Sequence, residues 1–181
     1  MRALLIRHAQ SAHQAPDAPL TKLGRDQAER LVAPLKALGA GPLYASPYAR
    51  AVLTLRPYAN ASAQTITELA DLAERRLSAE RLSDWQDHIR KSFDNVDHRA
   101  PGGETHREVL ERAARALRQI EEPGGPLPAF VTHGGLTSAL FHDHDPSFGF
   151  EGWVGLRNPD LFDVTLEDGR ITSFQRHDLE A

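Results

Sequence analysis

Ala3-Leu4-Leu5-Ile6-Arg7-His8-Ala9-Gln10-Ser11 is the stretch around which the rest of the chain is read. Four apolar residues in a row read as a short buried strand. The run stops at Arg7 and His8, where the strand leaves its sheet. In an open α/β sheet, ligands bind beyond the carboxyl ends of the strands. An Arg at that end suits a phosphate or carboxylate, and a His beside it can serve as base or nucleophile. Standing alone, such a pair is equally an ordinary polar strand end, because short motifs recur by chance.

A second run ends in the same way: Ala129-Phe130-Val131 is followed by Thr132-His133. If the two strands are parallel neighbours, both histidines reach one crevice. Between them, Thr21 reads as the N-cap of a helix to about Leu38, with Leu23, Ala28, Leu31, Leu35 and Leu38 as one apolar stripe. Pro34 is its candidate kink, and Gly39 ends it. Leu43-Tyr44-Ala45 is a short strand. Ser46 then reads as a cap and Pro47 as the first residue of a helix to about Ala59 that carries Arg50. Thr65-Ile66-Thr67 is a further strand. Residues 68–100 are charged and mixed, with helical patches at 79–82 and 84–93. Thr105 and Glu108 form a capping-box pattern for a helix to about Ile120. A loop follows at 123–126. Gly134-Gly135 opens a short helix to about Phe141. A hairpin at 161–174 turns at Asp168-Gly169. Strands alternating with helices argue an α/β fold: a three-layer α/β/α sandwich with a mostly parallel central sheet and an antiparallel edge hairpin.

The 181 residues suffice for one domain with its own core. Hydrophobic residues at 40% and charged residues at 25% are ordinary for a soluble protein. A net charge of −4 argues against a nucleic-acid partner. The chain has no cysteine, which excludes disulfides, thiolate metal sites and cysteine nucleophiles. No apolar run reaches membrane-spanning length, so no membrane partner is expected, and a cytoplasmic location is the default. The sequence is silent on oligomeric state.

Six strings, in order, resemble motifs of the histidine phosphatase superfamily, the group that includes phosphoglycerate mutase. Arg7-His8-Ala9-Gln10-Ser11 resembles R-H-G-x-S/T, and Leu20-Thr21-Lys22-Leu23-Gly24-Arg25-Asp26-Gln27-Ala28 resembles L-T-x-x-G-x-x-Q-A. Ser46-Pro47-Tyr48-Ala49-Arg50-Ala51, with Thr54, resembles S-x-x-x-R-A-x-x-T. Leu72-Ala73-Glu74-Arg75 is similar to L-x-E, Gly102-Gly103-Glu104-Thr105 to G-G-E-S, and Thr132-His133-Gly134-Gly135 to the second histidine motif. The resemblance implies that His8 is the nucleophile and becomes a phosphohistidine. It implies that Arg7, Arg50 and His133 hold the phosphoryl oxygens, that Glu74 is the general acid and base, with Glu68 and Glu80 as the other carboxylates in reach, and that residues 75–103 or so form a cap. Ser11, Gln14 and the amide of Gly134 would add phosphate contacts. With two guanidinium groups present, no metal and no other cofactor are expected.

Three departures stand out. Ala9 replaces the usual glycine, Gln14 falls near a position often held by Asn, and Gln10 stands where mutases carry Glu. The last favours a phosphatase over a cofactor-dependent phosphoglycerate mutase. The partner expected is a small-molecule phosphomonoester, with a phosphoprotein as the other substrate class. The rival from another class is a non-catalytic phospholigand-binding protein of the same fold. His142-Asp143-His144-Asp145 reads as a polar loop rather than a metal site. His13, His88, His98, His106 and His177 read as surface residues, and Trp85, Ile89 and Phe93 as core. Glu104 could orient groups of the site or be solvated. Thr21 and Gly24 read as capping and packing residues.

Overall fold

A computed structural model of the chain describes residues 1–121 and 125–179. Of the loop expected at 123–126, residues 123 and 124 lie outside them. The apolar start becomes strand β1 (Arg2–Arg7), with Ala3 through Ile6 fully buried. Five further strands follow in chain order: β2 (Ala40–Ala45), β3 (Ile66–Glu68), β4 (Leu127–Thr132), β5 (Asp160–Glu167) and β6 (Arg170–Arg176). They form one sheet in the order β3-β2-β4-β1-β5-β6. The first four of these run parallel, and β5 and β6 add the antiparallel edge.

β1 and β4 are direct neighbours, with Ile6 opposite Val131 and Arg7 opposite Thr132. The His8 amide donates to the Thr132 carbonyl at 3.0 Å. Both histidines therefore leave the sheet at the same level. Because side chains alternate along a strand, Leu4, Ile6, Ala129 and Val131 face one core, and Ala3, Leu5 and Phe130 face the other. Helices α1 (Lys22–Arg30), α2 (Val32–Leu38) and α3 (Ala49–Ser62) lie toward the first side. Helices α5 (His106–Ile120) and α6 (Gly134–His144) cover the second. Between the layers' halves come a single turn of 3-10 helix at Ala70–Leu72 and helix α4 (Trp85–Asp94), and α7 (Phe150–Val154) precedes β5.

Local chemistry explains most element ends. The Thr21 hydroxyl accepts the Gly24 amide at the start of α1. Thr105 and Glu108 make the capping box that opens α5. Asp168 and Gly169 both take positive φ, as a two-residue hairpin turn requires.

Several expectations fail, each for a physical reason. The helix expected to run from Thr21 to Leu38 divides at Leu31, because Pro34 offers no amide to the Arg30 carbonyl. Leu23 is 47% exposed and lies off the stripe. Helix α3 begins at Ala49, not Pro47. Ser46 is held by the sheet instead, its amide donating to the Val131 carbonyl at 2.9 Å. No helix forms at 79–82, where the Ala79 amide and the Ser78 hydroxyl both donate to the Pro101 carbonyl. α6 runs on to His144, so His142 and His144 are helical rather than in a loop. His106, expected at the surface, is buried against Phe93 and Ser92. Trp85, expected in the core, is 42% exposed. Among the described residues no helix is long and apolar enough to cross a membrane.

Candidate active site

The two strand ends and the start of α3 bring His8, His133 and Arg50 together. The His8 and His133 rings lie 5.1 Å apart, both buried. Arg50 Nε donates to His8 Nε2 at 3.2 Å, and Arg50 Nη1 donates to the carbonyls of Gln14 and Ala15. His8 Nδ1 lies 2.7 Å from the Ala9 carbonyl, a contact it can make only as a donor. The neutral ring thus carries its proton on Nδ1 and presents an unprotonated Nε2. Burial pushes the His8 pKa down to about 3, against the Ala9 carbonyl, which favours the charged form; Arg50 and Arg7 depress it further. Ala9 tolerates its Cβ here, since positive φ among non-glycine residues occurs only at Ala63 and Asp168 among the described residues.

Arg7 is anchored through Nη1 to the Leu156 carbonyl at 2.7 Å, while its buried Nε has no hydrogen-bond partner. His133 Nε2 lies 2.7 Å from the Ser46 hydroxyl, and its buried Nδ1 has no partner. Burial, with His8 and the nearby arginines, holds the His133 pKa well below the usual imidazole range. Two glycines make room: a Cβ at Gly134 would stand 3.2 Å from the Arg7 guanidinium, and one at Gly135 2.7 Å from Glu74 Oε1.

The arginines open into a cavity of about 830 Å³ that Gln14, Tyr48, Glu74 and Gly134 also line. Glu74 is docked on the start of α6. Its Oε2 accepts the Gly135 amide at 3.2 Å, and its Oε1 accepts the Leu136 and Arg75 amides at 3.1 and 2.7 Å. Ser11 is turned elsewhere, its hydroxyl donating to the His13 carbonyl.

Residues 3–171 match the model of the histidine phosphatase superfamily, branch 1. The chain belongs to this superfamily. It is 29% identical over 150 residues to the probable phosphoglycerate mutase GpmB of Citrobacter koseri, covering 74% of this chain and 70% of that protein. Its fold superimposes on a mycobacterial glucosyl-3-phosphoglycerate phosphatase in complex with inorganic phosphate, with TM-score 0.74, 22% identity, and coverage of 97% and 95% of the two chains. It also superimposes on a phosphoserine phosphatase of Entamoeba histolytica, with TM-score 0.72, 17% identity and 98% coverage of both chains.

Around the constellation of this superfamily member lies a set of supporting residues. Thr54 accepts the Ala9 amide at 2.8 Å and donates to the Arg50 carbonyl, tying the end of β1 to α3. Asn158 donates to the His8 carbonyl at 2.7 Å. Thr132 donates to the Leu72 carbonyl, holding the turn before Glu74 against β4. Arg112 grips that turn from α5, donating to the Asp71 and Ala73 carbonyls and to both Glu104 oxygens. Burial raises the Glu104 pKa, but the bonds from Arg112 and the Arg76 amide outweigh it and the net shift is downward. Glu104 is therefore ion-paired with Arg112 rather than solvated. Ser46, Asn158 and Arg112 were not legible as site residues. Ser46 carried a local signal, but it pointed to helix capping; the other two act across more than 30 residues of chain.

Proposed function

We propose that the chain is a metal-independent phosphomonoesterase that works through a phosphohistidine on His8. The observation that carries this reading is the fixed tautomer of His8: Nδ1–H donates to the Ala9 carbonyl, and the unprotonated Nε2 accepts from Arg50 Nε, a bond its lone pair gives up to attack phosphorus. In the first step Nε2 attacks phosphorus and the bond from phosphorus to the ester oxygen breaks. Glu74 gives its proton to the departing oxygen, and the alcohol leaves. In the second step water attacks the phosphohistidine, Glu74 takes the water proton, and the bond from nitrogen to phosphorus breaks. Inorganic phosphate leaves and His8 returns neutral.

Arg7, Arg50 and His133 neutralise the charge that builds on the equatorial oxygens. In this reading the Ser46 hydroxyl, which also accepts the Tyr48 amide, donates its own proton to His133 Nε2. That leaves His133 Nδ1–H, which has no protein partner, to donate to a phosphoryl oxygen. Gln14 and the amide of Gly134 stand at the same cavity. Two guanidinium groups supply the positive charge that a metal brings elsewhere. Residues 75–103 serve as the cap of the site, and a cytoplasmic location suits a cysteine-free chain acting on small phosphate esters.

Phosphoglycerate mutase chemistry is the second reading, favoured by the likeness to the probable mutase of Citrobacter koseri. Incubation with radiolabelled phosphomonoester, followed by a rapid quench, tests both. The expected label is acid-labile, alkali-stable and absent from His8→Ala, and inorganic phosphate is the main product. A label retained by His8→Ala, or transfer between phosphoglycerate hydroxyls that rivals hydrolysis, overturns the proposal.

A further inference from the structure

Away from Arg7 and Arg50, the same cavity is lined by Leu77, Trp85, Ile89 and Trp153. The two tryptophans are the whole complement of the chain, and both stand at this cavity. They come from α4 and α7 and meet edge to face, with ring centroids 5.9 Å apart. Trp153 packs on Phe150 at 5.4 Å, and the Arg90 guanidinium lies 3.8 Å above that same Phe150 ring. Phe150 thus backs Trp153, and Arg90 ties α4 to that ring of α7, while Trp85 stays 42% exposed. An aromatic face left uncovered beside a candidate reaction centre offers an apolar surface to whatever the phosphoryl group is attached to.

Most charged groups of this part of the cavity already have partners, although the buried Arg75 Nη2 has no hydrogen-bond partner. Arg112 is committed to Glu104 and two backbone carbonyls, and Arg75 to Ser92 and the Glu104 carbonyl. The Glu104 carboxylate is filled by Arg112 and the Arg76 amide. Arg76 itself is exposed, where water screens it. Arg75 leaves one nitrogen for a polar substituent, and a flat ring would find two indoles.

We propose that the alcohol released by this enzyme carries an aromatic ring that seats against Trp85 and Trp153, and that these two residues determine substrate choice. The inference takes from the phosphatase reading the position of the scissile bond; the ring site itself can be measured without turnover.

Phosphonates, which cannot be hydrolysed, provide the test. Phenylpropylphosphonate and propylphosphonate are titrated calorimetrically into the wild-type protein, with tryptophan emission followed in parallel. The ring compound should bind roughly tenfold or more tightly, and it alone should shift the emission strongly. Trp85→Ala and Trp153→Ala should bring the affinity ratio toward one, while Trp85→Phe retains most of it. Equal affinities in the wild type, or a ratio untouched in both alanine variants, overturns the inference; the wild-type comparison suffices if the alanine variants do not fold. The corresponding phosphate esters separate the two claims. Both esters hydrolysed with equal kcat/KM would sink the aromatic site and keep the phosphatase. Ring-selective binding with no hydrolysis of either would sink the phosphatase and keep the aromatic site.

Discussion

His8 and Glu74 are each held in one orientation by a few hydrogen bonds. The Ala9 carbonyl selects one tautomer of His8, and the α6 amides fix the Glu74 carboxylate beside Arg7 and Gly134. A fixed acid matters most when the leaving group is poor. An alkoxide needs its proton in the transition state, whereas nitrophenolate departs with little help. Glu74→Gln keeps the size of the side chain and removes the proton. It should slow hydrolysis of an alkyl phosphate by roughly 10²–10⁴-fold, and of p-nitrophenyl phosphate far less. Glu80→Gln, exposed and without contact to Glu74, serves as the comparison. Equal losses on both substrates in Glu74→Gln would remove it from the acid's role. Arg7, His8, Arg50 and His133 are proposed from strings that sit at the end of a strand or near the start of a helix, and the structure brings these elements to one place. Ser46 could not be read correctly. Its neighbour Pro47 made the cap reading attractive, and only the pairing of β2 with β4 shows the hydroxyl turned toward His133.

At the level of elements, the segment between the Ala70–Leu72 turn and α5 is held by one side chain more than by any apolar core. Arg112 joins both Glu104 oxygens to the Asp71 and Ala73 carbonyls, and its side chain is only 13% exposed. Arg112→Met should cost roughly 2–3 kcal/mol of stability, the scale for lost bonds to charged groups. It should also speed amide exchange across residues 73–105 before the sheet is affected. Arg115→Met, which breaks the more exposed pair with Asp71, should cost under about 1 kcal/mol. Urea unfolding and hydrogen exchange read both; equal costs for the two variants would deny Arg112 its special place. This segment is also where sequence reading ran out. The strands, the hairpin and the α5 capping box follow from neighbours within a few residues. Residues 79–82 look helical by composition, yet the Ala79 amide donates to the Pro101 carbonyl and the Glu80 amide to the Ser78 hydroxyl, and no local pattern encodes the first of these. The spacing of Trp85, Ile89 and Phe93 matched a core stripe, but the surface this stripe meets is partly a cavity.

For the whole molecule, buried neutral histidines tie stability to pH. Burial drives both His8 and His106 down to about 3, the latter helped by Arg75 and His142. An unfolded histidine titrates near 6.5. Between these two values the unfolded chain binds protons that the folded chain refuses. Stability therefore rises with pH across this window, is complete above it, and is lost as pH falls from about 6.5 toward 3. Each such histidine contributes about 1.4 kcal/mol per pH unit inside the window, or about 2 kcal/mol lost between pH 7 and pH 5. Glu104, held below the usual carboxylate range, acts lower, as pH drops through its own folded value. Unfolding free energies measured by urea at pH 7, 6 and 5 should thus fall steeply before carboxylates protonate. His106→Phe isolates one term, because it keeps an aromatic ring against Phe93 and Ser92 and removes the titrating nitrogen. Its stability should decline less steeply than wild type by about 1.4 kcal/mol per pH unit. An unchanged slope in His106→Phe would mean that His106 binds its proton in the folded state as readily as in the unfolded one, and that burial at this position is not what opposes its charge.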